Sequence, residues 1–332
     1  VYSNYDFKPQ FTKKSFTNEV LSFKPEANKK DSLFWRGSRP VPLTDEELKD
    51  YIKKDSIQVL RRSKPYLDSL DAKSNKPGVL SLLTGYAFKN SFEKWSVGYE
   101  GPLPNINFNT IQGWKSTAGL TFNKWYDDNQ TNTLSAALRA DYGIAEDRLR
   151  FTADILRNFN WTDKLRISLS GGSTVTQFNA SEPISPLINT FATLFFERNY
   201  MKLYELNFGR IGYSQEVFNG LHLYAAVAYE NRKPLFNNTD YVTIPFDDVS
   251  YTSNNPLAPN DFNNAAIEEH NIVKSKIRTR INFAQKYFSN PDMKFNIGDN
   301  KYPELNLSVE NGTAITESYY DYPQFEASLN QS

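Results

Sequence analysis

The stretch GWKSTAGLTFNKWYDDNQTNTLSAALRADYG, Gly113–Gly143, decides the fold. Trp114, Ser116, Ala118, Leu120 and Phe122 alternate with Lys115, Thr117, Gly119, Thr121 and Asn123. Leu134, Ala136, Leu138, Ala140 and Tyr142 alternate in the same way with Ser135, Ala137, Arg139, Asp141 and Gly143. Strict alternation over about ten residues is the mark of a strand with one apolar and one polar face. DDNQ, Asp127–Gln130, supplies turn residues between the two runs, so they read as a hairpin.

The period of two continues along the chain. It recurs at Leu149, Phe151, Ala153 and Ile155, at Leu165, Ile167 and Leu169, at Leu221, Leu223, Ala225, Val227 and Tyr229, and at Val273, Ile277, Ile281 and Phe283. AED (Ala145–Asp147) and WTD (Trp161–Asp163) serve as further turns, and the pattern predicts an antiparallel meander. Soluble strands average about 5 to 6 residues, whereas membrane-barrel strands need about 9 to 11; the runs here favour the second. Trp114, Trp125, Tyr126, Tyr142, Phe159, Trp161, Tyr213, Tyr229 and Tyr287 fall near strand ends, as interfacial girdles do. Turns near 127, 160 and 214 are short while 178–200 and 232–271 are long, the outer-membrane arrangement. One strand between the N-terminal segment and Gly113 then puts the N-terminus and the short turns on the same, periplasmic side. The alternation alone also fits a secreted all-β module in which it separates core from solvent.

Composition narrows the classes. The 332 residues include 24 Phe, 20 Tyr and 5 Trp, yet mean hydropathy is −0.60 and 39% are hydrophobic. Such aromatic content argues against disorder. Thirty-eight basic residues balance 38 acidic ones, so no basic footprint for nucleic acid exists. The absence of Cys removes disulfides, zinc ribbons, iron–sulfur clusters and thiol nucleophiles, and His222 and His270 have no metal-type spacing. No apolar run reaches the roughly 20 residues of a membrane helix. The opening VYSNYDFKPQ is not a signal peptide, so such a peptide has been removed or this is a piece of a longer chain.

Residues 1–43, with Phe7, Pro9, Phe11, Phe16, Phe23, Pro25, Pro40 and Pro42 among Lys, Ser and Asn, read as an extended, docked segment without regular structure. Thr44 with Glu47 forms a capping box, with Asp45 and Glu46 in the first turn. Leu48, Tyr51, Ile52, Ile57 and Leu60 give a partial stripe, Pro65 stops the helix near Arg62, and a second helix runs from Pro65 to about Ala72. Lys73–Gly78 reads as a linker. The expected organisation is an extended segment 1–43, helices and linker 44–78, and a barrel 79–332.

Several strings resemble one family of Bacteroidota-type outer-membrane proteins, a domain of unknown function often found behind a carboxypeptidase-regulatory-like β-sandwich. They are DSLFWRGSRPVPLTDEELKDYIKKDS (Asp31–Ser56), SKPYLDSLDAKSNK (Ser63–Lys76), GPLPNINFNTIQG (Gly101–Gly113), ISPLINTFATLFFERNYMKLYE (Ile184–Glu205), NPLAPNDF (Asn255–Phe262) and AQKYFSNPDMKFNIGDNKYPELNL (Ala284–Leu307). They span most of the chain, and the RPVPLT core with its helix is the specific one. The resemblance implies a periplasmic β-sandwich upstream and a barrel distantly similar to the surface-antigen barrels of outer-membrane assembly and translocation. Ala284 stands where the pattern has Gly before QKY, and Gln112 where FNT-x-EG carries Glu, so any role of that acid does not transfer. The resemblance supplies no catalytic residues.

Candidate chemistry is sparse. Asp127/Asp128, Asp247/Asp248 and Glu268/Glu269 sit in turns or loops and read as solvated acids, since none has an EF-hand spacing. Gly171–Ser173 is no nucleophile elbow because no helix follows; it reads as a strand bend. Lys274, Lys276, Arg278 and Arg280 share one face of a strand, opposite Val273, Ser275, Ile277, Thr279 and Ile281. A cation facing lipid costs about 2 to 4 kcal/mol near the midplane, so this row is expected to face the lumen, as are Arg139, Arg150 and Arg166. It either attracts anions or is neutralised by Asp141, Asp154 and Glu230. Ile184, Leu187, Ile188, Phe191, Leu194 and Phe195 fall at helical spacing inside a loop, and this stripe is expected to be buried across the barrel mouth or against a partner. DSL, DSI and DSL (Asp31–Leu33, Asp55–Ile57, Asp68–Leu70) match a short O-glycosylation signal of this bacterial group.

The fold expected is mainly β: an antiparallel transmembrane outer-membrane β-barrel, incomplete within this chain, with a short periplasmic α-helical N-terminal segment. The last candidate strand, Pro323–Asn330, is not expected to close on the strand near Trp95. The function expected is non-enzymatic, a scaffold or conduit in envelope biogenesis or transport within a larger outer-membrane complex. Its partners are outer-membrane lipids and other outer-membrane or periplasmic proteins, with no nucleic acid, cofactor or metal. A solute-uptake or receptor barrel is the first alternative, weakened by the lack of a plug-like domain before the first strand; a soluble secreted glycan-binding all-β protein is the second.

Overall fold

In a sheet, alternating residues pass their backbone groups to strands on both sides and segregate side chains to two faces. The computed structural model describes residues 7–331 except 13–15, 25, 180, 292, 299–300 and 316–317, so the first six residues of the N-terminal segment lie outside the described part. The chain is mainly β, 44% strand and 19% helix. In chain order the strands are β1 Glu19–Ser22, β2 Tyr86–Asn90, β3 Trp95–Glu100, β4 Asn107–Asn109, β5 Gly113–Trp125, β6 Thr133–Gly143, β7 Arg148–Asn158 and β8 Arg166–Gln177. They continue with β9 Leu203–Phe218, β10 Leu221–Pro234, β11 His270–Asn282, β12 Tyr287–Asn290, β13 Met293–Asn296, β14 Glu304–Ala314 and β15 Tyr322–Asn330. The helices are α1 Ser32–Ser38, α2 Asp45–Arg62, α3 Lys64–Ser74, α4 Ser81–Thr84 and α5 Pro186–Phe196.

Twelve strands make one antiparallel sheet, ordered β15-β14-β11-β10-β9-β8-β7-β6-β5-β3-β2, with β4 also paired to β5. Among the described residues β15 pairs with β14 alone and β2 with β3 alone, so the sheet is open and not a closed barrel. A small sheet, β1-β12-β13, is separate in strand order but joined to the short-turn end by a Trp161–Met293 bridge and the Lys294–Glu216 pair. The two open edges differ. At β2 the Asn75 side chain, just past α3, exchanges two hydrogen bonds with the Lys89 backbone (2.6 and 2.9 Å), covering part of the edge. Asp71 of α3 accepts from Ser91 N and Oγ at 2.6 and 2.7 Å, tying the helix to the β2–β3 turn.

The two faces of the large sheet are inverted relative to a soluble protein. Cross-strand register puts Leu120, Leu138, Ala153, Leu169 and Ile211 on one face, continued by Val227, Ile277 and Val309. Leu120, Leu138, Leu169, Ile211, Val227 and Ile277 are each 48–56% exposed. The opposite face carries Glu100, Arg139, Asp154, Arg210, Glu230, Lys274 and Glu310, and these pair with one another. The GGS bend is real: Gly172 has φ +137°, and a Cβ there would meet the Phe151 carbonyl oxygen at 2.1 Å. The β7–β8 ladder ends at Thr152 and Gly172 while β8 continues along β9.

Three expectations need correction. The segment 1–43 is not devoid of regular structure: it contains β1 and α1, whose N-terminus is capped by Asp31 accepting from Phe34 N at 2.9 Å. The short turn expected near 214 is at Asn219–Gly220, because β9 runs unbroken through Ser214. Three strands of the main sheet, not one, precede Gly113: the chain re-enters at Gly85 and descends β2 before β3, and the short β4 follows. The connection from β11 to β14 holds the β12–β13 hairpin. The capping box at Thr44 is present in both directions, α2 ends at Arg62, and the second helix runs two residues beyond Ala72.

Candidate functional site

The basic row is built by register. Along β11 residues 274, 276, 278 and 280 face one way, and β10 sets opposite them Ala228, Ala226, Tyr224 and His222. On the other flank β14 places Gly312, Glu310, Ser308 and Asn306. Glu310 therefore takes Lys276 at 2.9 Å and Lys274 at 3.1 Å, with Tyr322 donating its hydroxyl at 2.7 Å. Glu230 is held by Arg232 at 2.6 Å, with Arg210 and Lys274 each at 3.6 Å. Arg280 has only Glu304, at 3.9 Å, and Arg278 has no ion pair among the described residues. Of the neutralising acids read from the sequence, Glu230 serves this row, whereas Asp154 serves Arg139 at 3.4 Å and Asp141 serves Lys115 at 2.6 Å. Arg166 bonds Asn158 rather than an acid. Glu310, the main neutraliser, escaped the sequence reading. A cavity of about 640 Å³ opens over this part of the sheet.

At the end of the sheet holding Gly143, Gln177 and Pro234, side chains and loops knit together. Arg150, 1% exposed, is clasped by Glu146 and by Glu205 at 2.9 Å, and Glu205 also takes Arg148 at 2.6 Å. Buried charges survive only when paired. The long 235–269 connection is pinned here by amides. Asn254 donates to the Leu203 and Leu235 carbonyls, both at 2.6 Å, and accepts from Leu203 N at 2.8 Å. Lys202 donates to Thr252 Oγ1 at 2.6 Å and the Ser253 carbonyl at 2.7 Å; burial pulls its pKa down to about 8. Tyr251, donating to the Thr193 carbonyl, is pushed up to about 12 by burial, with Glu197 and Asp240 adding to the shift.

Of the two burials expected for the apolar stripe of the loop helix α5, the one across the barrel mouth is not found among the described residues. The buried face of the helix is polar: Asn189, Thr190 and Thr193, with Leu194. Asn189 accepts from Met201 N at 3.0 Å, and Thr190 accepts from Phe108 N at 2.8 Å, so the helix satisfies the backbone of β4 and of the chain entering β9. Leu187, Ile188 and Phe191 are 54–64% exposed. Of the expected stripe, Leu194 is buried, Phe195 is half-buried and stacks on Phe191, and Ile184 packs partly against Ile111, Met201 and Leu203. Burial follows hydrogen bonding here, because unpaired buried backbone groups cost more than exposed apolar ones.

The paired acids stand apart. Glu269 meets Lys233 at 3.0 Å, Asp128 meets Lys94 at 2.7 Å, and Asp127 closes its own turn by accepting from Thr131 N and Asn132 N. Among the described residues no group of three His, Cys, Asp or Glu is arranged to hold a metal ion. Gln112, at the departure from the resembled motif, is buried and donates to Asp141 at 3.1 Å. No curated protein and no solved structure matches this chain. Residues 80–332 match one family model, described as a family of unknown function (DUF5686), C-terminal domain; the match starts at the approach to β2 and takes in every strand of the large sheet, and the chain belongs to that family.

Proposed function

We propose that this chain forms part of the wall of a bacterial outer-membrane β-barrel and acts without catalysis, as a scaffold or conduit in envelope biogenesis or transport within a larger assembly. The carrying observation is the inversion of faces. From Leu134 to Tyr142, Leu149 to Ile155, Leu221 to Tyr229 and Val273 to Ile281, the apolar face has no charged residue and is exposed or half-exposed, while the charges lie on the other face, most of them paired. Water rewards the opposite arrangement; a hydrocarbon exterior and a wet interior reward this one. β5 to β11 are 11 to 16 residues long, enough to cross a bilayer obliquely. In that setting β15 must find a partner strand, since lipid satisfies no backbone group.

On this reading the α2–α3 segment is periplasmic, because Asp71 ties α3 to the short-turn end of the sheet. The Bacteroidota-type origin and an upstream carboxypeptidase-regulatory-like sandwich belong to the same proposal, on the strength of the quoted motifs. Two alternatives make different demands. An uptake or receptor barrel would bind a nutrient reversibly, and a secreted glycan-binding protein would be extracted without detergent. The test is membrane fractionation of cells producing the full-length protein, followed by carbonate washing and detergent extraction. Recovery in the outer-membrane fraction, released only by detergent, supports the barrel; release by carbonate alone sinks it.

A further inference from the structure

The cavity over β9, β10, β11 and β14 is charged in excess of its own neutralisation. Five cations line it, Arg210, Lys274, Lys276, Arg278 and Arg280. Two carboxylates, Glu230 and Glu310, oppose them. Adding the adjoining Arg232 on Glu230 and Glu304 near Arg280 leaves the excess at three. Glu216, beside His222, is engaged by Lys294 at 2.5 Å and Lys164 at 3.4 Å. Glu326 lies one strand beyond Ser308 from Arg278 and lowers the excess without removing it.

The cations differ in how far they are engaged. Lys274 and Lys276 share Glu310, whereas Arg280 reaches an acid only at 3.9 Å and Arg278 reaches none among the described residues, so these two arginines are the least committed. Register sets Arg278 beside Tyr224 and Tyr224 beside Ser214. The side chains of Arg278, Tyr224 and Ser214 have no hydrogen-bond partner among the described residues, although all three residues line the cavity. Residues two apart on a strand lie about 6.8 Å from each other, a span that lets two guanidinium forks grip adjacent oxyanion groups. A charged face backed by an apolar exterior also concentrates counter-ions.

We propose that this cavity binds a multivalent oxyanion of the phosphate-ester type, held by Arg278 and Arg280 with Tyr224 and Ser214 donating to its oxygens. The inference rests on the barrel reading for turning this face towards water. A monovalent anion would leave most of the excess uncompensated. Soluble phosphate esters and lipid headgroups carry the same oxyanion chemistry, and the assay separates these two sources.

The experiment titrates full-length protein in zwitterionic detergent with pyrophosphate at low salt, by calorimetry. A parallel titration uses bicelles carrying a phosphomonoester lipid. Saturable binding of either probe, weakened roughly tenfold or more by Arg278→Gln/Arg280→Gln, supports the site and identifies the source. Arg278→Lys/Arg280→Lys should retain part of the affinity, and Arg139→Gln, a paired arginine elsewhere on the same face, should retain nearly all of it. No saturable binding of either probe, or equal binding by wild type and the double Gln variant with its heat-modifiable gel shift intact, overturns the inference. Protein that integrates into membranes but binds neither probe leaves the barrel standing without the site; protein that binds pyrophosphate yet fractionates as soluble does the reverse.

Discussion

Leu138 and Ala137 are neighbours on β6 that face opposite ways, which makes them the sharpest probe of the two-faced sheet. Leu138 lies mid-strand between Leu120 and Ala153, 48% exposed; Ala137 lies between Thr121 and Asp154 on the charged face. If the apolar face met water, Leu138→Arg would change stability by no more than about 0.5 kcal/mol, as exposed substitutions do. If it meets hydrocarbon near the midplane, the same change costs about 2 to 4 kcal/mol. At about 1.4 kcal/mol per decade, that is a drop of roughly 30-fold to 700-fold in the folding equilibrium. Ala137→Arg gains a carboxylate neighbour and should stay within about 0.5 kcal/mol on either reading. The assay is urea titration of full-length protein in lipid vesicles, followed by tryptophan emission and the heat-modifiable gel shift. Coincident midpoints for the two variants would refute the face assignment, whatever the membrane yield.

Other consequences are independent of that pair. Gly172→Ala should abolish assembly or distort the β7–β8 junction, since its Cβ would overlap the Phe151 carbonyl; a wild-type gel shift would show that the bend relaxes freely. Glu205→Ala strips the buried Arg150 of one clasp and should cost about 3 to 5 kcal/mol, with Arg150→Met/Glu205→Leu recovering much of it in the same urea assay. Lys202, about 8 here against an ordinary 10.5, binds fewer protons folded than unfolded between those values, so the loop cluster should gain stability as pH rises from about 8 to about 10.5. Hydrogen exchange in 235–269, corrected for its intrinsic pH dependence, should show that gain in wild type and lose it in Lys202→Met. An epitope placed after Asp247, which is exposed, should be labelled on intact cells; Asn254 is unsuitable because it holds three backbone groups. Labelling only after lysis would invert the topology.

The sheet was legible wherever a strand kept one phase of alternation along its length. β5, β6, β7, β10 and β11 do so, and the strand bend at Gly171–Ser173 announced itself by glycine alone. β9 does not. In its first half Tyr204, Leu206 and Phe208 are apolar while Glu205 and Asn207 are polar; beyond Gly209 the phase inverts, with Ile211 and Tyr213 apolar and Arg210, Ser214 and Glu216 polar. The inversion has a physical cause, because the first half lies in the loop cluster, where Glu205 meets Arg150 and Tyr204 meets Phe178. A single period-two template therefore reads a break where the backbone continues. The buried side of α5 was hidden for a related reason: hydropathy marks its apolar stripe, while Asn189 and Thr190 are buried as hydrogen-bond partners of Met201 N and Phe108 N, and Phe108 lies about eighty residues earlier in the chain.

The cation row shows where sequence reasoning stops. Alternation along β11 puts Lys274, Lys276, Arg278 and Arg280 on one face, but not which of them remain charged and free. That depends on a strand some thirty residues onward. With Lys276 opposite Glu310 and Arg278 opposite Ser308, the lysines share a close carboxylate, Arg280 keeps a distant one and Arg278 has none among the described residues. Sliding β14 by two residues keeps every side chain on its face and every apolar contact in kind, yet it sets Glu310 beside Arg278 and removes the site. The turn lengths do not fix this register, because the β11–β14 connection is long and carries its own hairpin. Side chains across the pair favour the observed register, for in it Lys274 and Lys276 both reach Glu310 while Arg278 faces Ser308, so the same carboxylate that ties β14 to β11 leaves the arginines without a close acid.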